Sequence, residues 1–470
     1  MIPLRDLKIY FNMCGILLTD KLKSLNSIEH RGTESRCINV GSKYLIHHRL
    51  PIQTLDDDEW SQPVQLDRHR YLLFNGEIFN YNTSKYGSDT EYLKDFFTEW
   101  DGKSISDFQK WDGFWAIVLY NSKTKETICL TDPLGKKLLY YDMEGNICSE
   151  IKGIKTPTME LDPSFISACY KWGYNHDDRT PYSDIKRILP GKIYRWKDES
   201  PETKTITNIE YFNNILIPEF YEDRVQYLRD LMYQSVKNRL LSKGYKIAVL
   251  LSGGLDSSII AGILCDLGYK DSINWYTIEN DETEYVNLLE KYHGIKVKKL
   301  NYQIDGNNDL KEIYSKWNES PIDLGSVVPQ YYLFKAVSEE KLRIVLSGDG
   351  ADELFGGYRR VNQYDPQGSD VFHELTYYHL PRLDKMSMAY TIELRNPFLG
   401  HQVIDLALKL PFEERKNKKI LKDAFKDIVP EEIIERAKAP LKNDKIKKDP
   451  IEYRSYVIEL FKKNYRNEVC

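Results

Sequence analysis

The chain has 470 residues and carries 66 Lys and Arg against 71 Asp and Glu, a formal charge of −5 that gives no electrostatic footing to a nucleic-acid or anionic-membrane partner. Hydrophobic residues at 41% and aromatics at 13% suffice for packed cores and exclude disorder as the main state. Seven scattered cysteines without C-x-x-C spacing offer neither a disulfide frame nor a zinc knuckle, which predicts a reducing, cytoplasmic setting.

The opening MIPLRDLKIYF is broken by charge where a signal peptide needs an apolar run, and stretches such as Phe114–Tyr120 are too short to span a bilayer. From Met13 to about Trp196, short strand-like runs alternate with Gly, Pro, Asn and Asp. Tyr71–Phe74, Phe114–Tyr120, Thr127–Leu130 and Leu138–Tyr141 predict antiparallel sheet, with Asn121–Thr124 as a hairpin connection. A polar stretch over Lys197–Asn208 opens a domain linker, placed at residues 201–222. Beyond it the spacing predicts a helix over Asp223–Leu241, a strand over Lys246–Leu251, a helix from about Ser257 and a strand over Ile273–Ile278. A helix over Glu282–His293, a strand over Ile295–Asn301, a helix over Val327–Val337 and a strand over Leu342–Leu346 follow. Such alternation predicts a parallel, doubly wound α/β sheet. From Tyr377 onward the chain reads as mostly helical, and its basic runs Arg415–Lys419 and Lys442–Lys448 read mainly as solvated faces. Nine histidines show no H-E-x-x-H pattern, so no transition-metal site is expected.

Cys14-Gly15-Ile16 follows Met13 directly; taken alone, a buried structural cysteine is its plain reading. His30-Arg31-Gly32, His48-Arg49-Leu50, Asn75-Gly76-Glu77-Ile78-Phe79-Asn80-Tyr81 and Ser88-Asp89-Thr90-Glu91 then come in order within one predicted sheet domain. The ordered set resembles the glutamine amidotransferases whose nucleophile is the first residue of the mature chain. That resemblance implies an Ntn-hydrolase-like antiparallel β-sandwich flanked by helices over residues 14–200. Cys14 is the implied nucleophile, with its own α-amine, of ordinary pKa near ~8, as the base. A turn at Asn75-Gly76 would offer the Asn75 side chain and the Gly76 N–H to the oxyanion. Arg49 is assigned to the glutamine carboxylate, and Asp89 with Glu77 to its ammonium. The blander alternatives are a simple hairpin at Asn75-Gly76 and a surface charge at Arg49. An amide-bound Cys14 nitrogen cannot act as a base. Residues 1–13 are therefore expected to be a mis-assigned start, with translation from Met13 and loss of that methionine, or else a cleaved leader. Thr33-Glu34 stands where the family has Pro-Asp, a departure in the glutamine lid.

Further on, Ser252-Gly253-Gly254-Leu255-Asp256-Ser257-Ser258 lies at the carboxyl end of a predicted buried strand and opens a helix. Small residues there let backbone fold around phosphate oxygens at a helix N-terminus. The loop lacks a Walker lysine and is similar to that of the ATP pyrophosphatases, which cleave between the α- and β-phosphates. The resemblance assigns Leu251, Ser252, Gly253, Gly254, Asp256, Ser257, Ser258, Ile278, Ser347 and Gly348 to ATP, and Asp256 with Asp352 to Mg²⁺. The second acidic loop, Ser347-Gly348-Asp349-Gly350-Ala351-Asp352-Glu353, crowds carboxylates that repel unless a cation sits among them. Asp349 is assigned to acceptor and ammonia handling. Tight connection and exposed acidic turn are the structural alternatives for these two loops. Leu380–Tyr390 and Glu393–Leu399 resemble a helical core signature, expected to pack rather than react. Arg436-Ala437-Lys438 matches an R-x-K pattern whose lysine stabilises charge on the phosphates and the adenylating carboxylate.

Taken from Cys14 to Lys438, the order resembles the glutamine-hydrolysing asparagine synthetases. The resemblance implies a synthetase domain over residues 223–470, with ATP as substrate, Mg²⁺, L-glutamine and L-aspartate, and leaves room for a homodimer. The expected products are L-asparagine, L-glutamate, AMP and pyrophosphate. The alternative is a related amidotransferase acting on another carboxylate, such as a peptide or sugar acid. A β-lactam synthetase shares the back half but has no use for Cys14.

Overall fold

Side chains that alternate between faces sort the N-terminal half into two antiparallel sheets. The computed structural model describes residues 9–10, 14–21, 24, 27–32, 34–50, 52, 62–212, 215–242, 246–301, 308, 311–313, 319–321, 326–358, 369–436 and 450–469. One sheet has seven strands, including Gly15–Thr19, Glu34–Val40, Lys43–Arg49 and Tyr140–Asp142; the other has six, including Arg70–Ile78, Gly113–Asn121, Glu126–Thr131 and Lys192–Trp196. Ile16, Leu18 and Leu45 of the first sheet meet Leu73, Ala116, Val118 and Trp196 of the second in one buried cluster. Their sequence neighbours turn outward: Leu72, Phe74 and Ile117 pack under the helix Asp89–Glu99 through Leu93 and Phe97. This is the period-2 logic of a sandwich with both outer faces covered. The hairpin expected at Asn121–Thr124 forms between Gly113–Asn121 and Glu126–Thr131. The stretch read as the start of the linker holds a strand, Thr205–Asn208, that pairs with Lys192–Trp196 at the edge of the second sheet.

The C-terminal sheet is parallel throughout. Its order is Val297–Leu300, Ile273–Ile278, Ile247–Leu250, Ile344–Leu346, Glu393–Arg395, which is 3-2-1-4-5 in chain order. The order reverses between Ile247–Leu250 and Ile344–Leu346, and open α/β sheets bind ligands at the carboxyl ends flanking such a switch. The helix Leu255–Asp266 follows the first of these strands and is buried almost all round, as a crossover helix under a sheet must be. The edge strand Glu393–Arg395 corrects the helical reading of that block: it pairs with Ile344–Leu346 through Ile344↔Glu393 and Leu346↔Arg395.

Charged side chains also tie the halves together. Arg31, Lys137 and Asp384 are nearly fully buried, and Asp384 receives Lys137 at 3.1 Å and Arg31 at 3.4 Å. Asp112 takes Arg239 at 3.0 Å and the backbone N–H of His401 at 3.0 Å. Arg395 stands 3.9 Å from Glu77. No helix among the described residues is long and apolar enough to cross a membrane.

Candidate active sites

The N-terminal site is built on strands. Cys14 immediately precedes Gly15–Thr19; its Sγ accepts the Leu50 N–H at 3.1 Å, and its carbonyl accepts Arg31 Nε at 3.1 Å. Burial pushes the Cys14 thiol up to about 12, and the charges of Glu393 and Glu77 add to the rise. A thiol so placed stays protonated at neutral pH and needs a base to become a nucleophile.

Asn75-Gly76 is not a turn. Both residues lie inside the continuous strand Arg70–Ile78, paired with Ala116 and Trp115. The dipeptide is needed for another reason: Gly76 has φ +147°, and a Cβ there would overlap the carbonyl oxygen of Phe114. Only glycine lets the two strands close at that point. Beside it, Asn75 is fully buried, and neither its side-chain oxygen nor its nitrogen has a hydrogen-bond partner. An orphaned buried amide is costly in a folded protein unless a ligand completes it.

Asp89 caps the same strand, accepting the Ile78 N–H at 3.1 Å, and burial, with Glu393 adding, pushes its carboxyl up to about 7. Ser88 caps the Asp89–Glu99 helix through the Glu91 N–H. Glu77 lies nearby and faces Arg395 of the other half. Arg49 ends the strand Lys43–Arg49 and meets Glu34 at 3.3 Å, so the residue that departs from the family pattern is the one engaging the expected carboxylate receptor.

The C-terminal site is built on loops at the switch point. Ser252–Gly254 connects Ile247–Leu250 to Leu255–Asp266, and Gly253 takes φ +71° against Tyr285 and Glu282. Ser257 Oγ accepts the Ser252 N–H at 3.2 Å, and Ser258 Oγ donates to the Gly254 carbonyl at 2.7 Å, which holds the loop open. Leu251 donates to the Tyr276 carbonyl at 2.8 Å, and Ile278 ends the adjacent strand. The acidic loop lies against this one: a Cβ on Gly348 would come within 2.8 Å of Asp256 Cβ and 3.0 Å of the Ser257 nitrogen. Ser347 Oγ donates to Asp349 at 2.6 Å and accepts from Asn396 at 3.0 Å. Glu353 takes the Tyr358 hydroxyl at 2.7 Å, and burial, with Asp352 beside it, pushes its carboxyl up to about 7.

Three further residues, given no role of their own by the sequence, meet this site. Lys418 Nζ lies 2.7 Å from both Asp256 oxygens and 2.5 Å from Asp352, and the two carboxylates hold its ammonium well above the ordinary lysine range. The run Arg415–Lys419 is therefore not uniformly a solvated face, since Arg415 and Lys418 are buried. Arg436, the first residue of the R-x-K pattern, donates to the Gly253 carbonyl at 3.0 Å, pairs with Glu282 and stacks on Tyr285. Arg382 reaches Asp349 at 3.6 Å. Lys418 carried no local signal, because a lysine in a basic run looks the same whether it is solvated or bridging carboxylates, whereas Arg436 and Arg382 lay inside motifs that gave them no role of their own. Lys438 lies outside the described residues.

The asparagine synthase family model matches residues 227–376 and 369–468, and the glutamine amidotransferase domain model matches residues 13–207. The chain belongs to the asparagine synthase family. It is 30% identical over 440 residues to a Methanocaldococcus jannaschii protein provisionally named glutamine-hydrolyzing asparagine synthetase 1, covering 85% of this chain and 75% of that one. The glutamine-hydrolyzing asparagine synthetases of Pongo abelii and Homo sapiens are 28% and 27% identical, each over 91% of this chain and 83% of theirs. A solved NMN synthetase from Francisella tularensis matches 53% of this chain and 94% of its own at 14% identity, with a TM-score of 0.27, too low to bear on fold or activity.

Proposed function

We propose that the chain makes L-asparagine from L-aspartate, ATP and the amide nitrogen of L-glutamine, releasing AMP, pyrophosphate and L-glutamate. The observation that carries this reading is that one chain contains both family halves.

At the N-terminal site Cys14 attacks the glutamine amide carbon. Its raised thiol pKa makes a dedicated base necessary, and the α-amine released by starting the mature chain at Cys14 supplies one. The Asn75 amide donates to the oxyanion together with the Gly76 N–H, which settles the orphaned donor in the transition state rather than before it. Asp89 and Glu77 hold the substrate ammonium, and Arg49 turns from Glu34 to its carboxylate.

At the C-terminal site the two loops cradle ATP phosphates with backbone N–H groups and serine hydroxyls. Asp256 and Asp352 already share one cation, the Lys418 ammonium, and a pair of hard carboxylate oxygens beside bound phosphates suits Mg²⁺. Bound there, the ion would neutralise charge on the departing pyrophosphate. A carboxylate is a poor electrophile because its oxygen leaves badly; attack on the α-phosphorus converts that oxygen into AMP, and ammonia from Cys14 then displaces it. In this reading Asp349 manages the ammonia proton and Lys438 offsets charge on the adenylate. Residues 14–200 act as the glutaminase and 223–470 as the synthetase.

Incubation with L-glutamine, L-aspartate and ATP should give asparagine, glutamate, AMP and pyrophosphate in equal amounts. ADP with orthophosphate, or adenylation of another acid only, would overturn the assignment. Intact mass of the active chain should begin at Cys14; full glutaminase activity in a chain that keeps residues 1–12 would remove the α-amine mechanism.

A further inference from the structure

The edge strand Glu393–Arg395 brings Arg395 of the C-terminal half up to the N-terminal strand that holds Asn75, Gly76 and Glu77. Arg395 and, just past the helix Tyr221–Asn238, Arg239 both lie against the Phe79 ring, their guanidinium carbons 5.2 and 4.8 Å from its centre. Both side chains are fully buried. Arg239 is closed onto the N-terminal half, where Asp112 takes it at 3.0 Å. Arg395 is not.

Within its own half, Arg395 Nε donates to Glu393 at 2.6 Å, and Nη1 donates to the carbonyls of Arg239 and Leu241, each at 2.7 Å. Its backbone is held as well, because its carbonyl accepts the Ser347 N–H at 3.1 Å beside the parallel pairing with Leu346. A planar fork fixed at two nitrogens has a fixed third. That third nitrogen, Nη2, has no hydrogen-bond partner and faces Glu77 at 3.9 Å, beyond hydrogen-bond length. Closed to that length, the pair would occupy a Glu77 oxygen. At 3.9 Å the fixed charge orients the carboxylate and leaves its lone pairs to a stronger donor.

The surroundings call for such a cation. Glu77, Asp89 and Glu393 are all buried. Burial lifts the Asp89 carboxyl, the charge of Glu393 lifts it further, and Arg395 pulls it back. Beyond burial, Glu393 and Glu77 both raise the Cys14 thiol. These groups therefore share one electrostatic neighbourhood beside the nucleophile. Carboxylates gathered in this way repel one another unless cations answer them.

We infer that the glutamine site is completed from the synthetase half: Arg395 is a positioning residue that aims the Glu77 carboxylate at the α-ammonium of the substrate. The inference rests on the glutaminase activity and the ammonium assignment proposed above, and adds the group that sets the receptor. Recognition of glutamine then depends on contact between the halves, although the reacting atoms lie in one of them.

The test uses the mature chain without ATP and follows ammonia release from L-glutamine and from 4-carbamoylbutanoate, which is glutamine without its α-amine. Arg395→Lys should raise the KM for glutamine about tenfold with kcat within about threefold, and leave kcat/KM for 4-carbamoylbutanoate within about threefold. The wild-type preference for glutamine should thus shrink, whereas a merely structural role would depress both substrates alike. Glu77→Gln should shrink the same preference, and Arg395→Lys added to it should cost little more. Phe79→Leu removes the ring under the guanidinium but no charge. It should give a smaller loss of the same preference, and it decides the matter where Arg395→Lys does not fold: a parental preference in Phe79→Leu then overturns the role. A preference lost in Glu77→Gln but intact in Arg395→Lys, or equal falls for both substrates in Arg395→Lys, overturns the positioning role and spares the ammonium assignment. A preference intact in Glu77→Gln retires the ammonium assignment and the inference with it. No ammonia from glutamine in the wild type retires the glutaminase reading itself.

Discussion

The two candidate sites are prepared for charge in opposite ways. The N-terminal one is set into paired strands and keeps a neutral donor unsatisfied: the Asn75 amide is fully buried with nothing to bond, beside a glycine that only a Cβ-free residue could replace. The C-terminal one is set on loops and satisfies itself internally, with Lys418 closing Asp256 and Asp352. An oxyanion lasts only for a transition state, so a rigid donor left empty loses little and gains most when charge develops. A polyphosphate is a lasting polyanion, and a loop lined with carboxylates must carry a cation before one arrives or repel itself open.

The largest effect that tests this contrast is Cys14→Ala. It should cut glutamine-driven synthesis by at least about 10³-fold and leave ammonia-driven synthesis standing; loss of both in a steady-state assay would show that the sites are not separable. Lys418→Met strikes the other site. Removing one partner of a buried ionic cluster costs about 3–5 kcal/mol, so the melting temperature should fall, and synthesis should fail with either nitrogen source while glutaminase persists. Added Mg²⁺ with pyrophosphate should restore part of the melting temperature; no restoration would mean the carboxylates do not share a cation site. Asn75→Ala should lower the glutaminase kcat by about 10²–10³-fold with little change in KM. A change confined to KM would place Asn75 on the ground state instead.

The smallest effect is one of pH. Burial sets the Asp89 carboxyl near 7 in the free protein, so it is largely neutral below that pH and ionised above it. The α-amine base, of ordinary pKa ~8, should make kcat/KM for glutamine climb about tenfold per unit up to about pH 8, and since the ammonium of glutamine also needs the Asp89 carboxylate, a steeper limb should lie below pH 7. Asp89→Asn should flatten that limb. Glu393→Gln, which removes an opposing charge, should move it to lower pH.

Period-2 alternation was readable around Leu72, Leu73 and Phe74, because a residue at each sandwich face must be apolar, and the switch-point site was readable because strand and helix periods alternate cleanly around Ser252–Ser258. Asn75-Gly76 misled because Asn-Gly is the strongest short hairpin signal; the strand instead runs through it, with Gly76 and Gly113 both at φ beyond +140° where the two strands press together. Glu393–Arg395 was missed as a strand because it is three residues long, charged at both ends and set in a helical stretch. Besides Glu393 in the same strand, Arg395 is answered by partners far along the chain, Glu77 and the carbonyl of Arg239. Lys418 was invisible for the same reason, since only tertiary structure decides which lysine of a run turns inward.

Arg31 joins the two halves through a single side chain. One planar group grips the peptide carbonyl of the nucleophile with Nε, Glu150 with Nη1 and, through Nη2, Asp384 on a helix of the opposite half. A guanidinium is planar and rigid, so the Cys14 carbonyl, Glu150 and Asp384 are held at fixed angles about a single anchor that belongs to neither half alone.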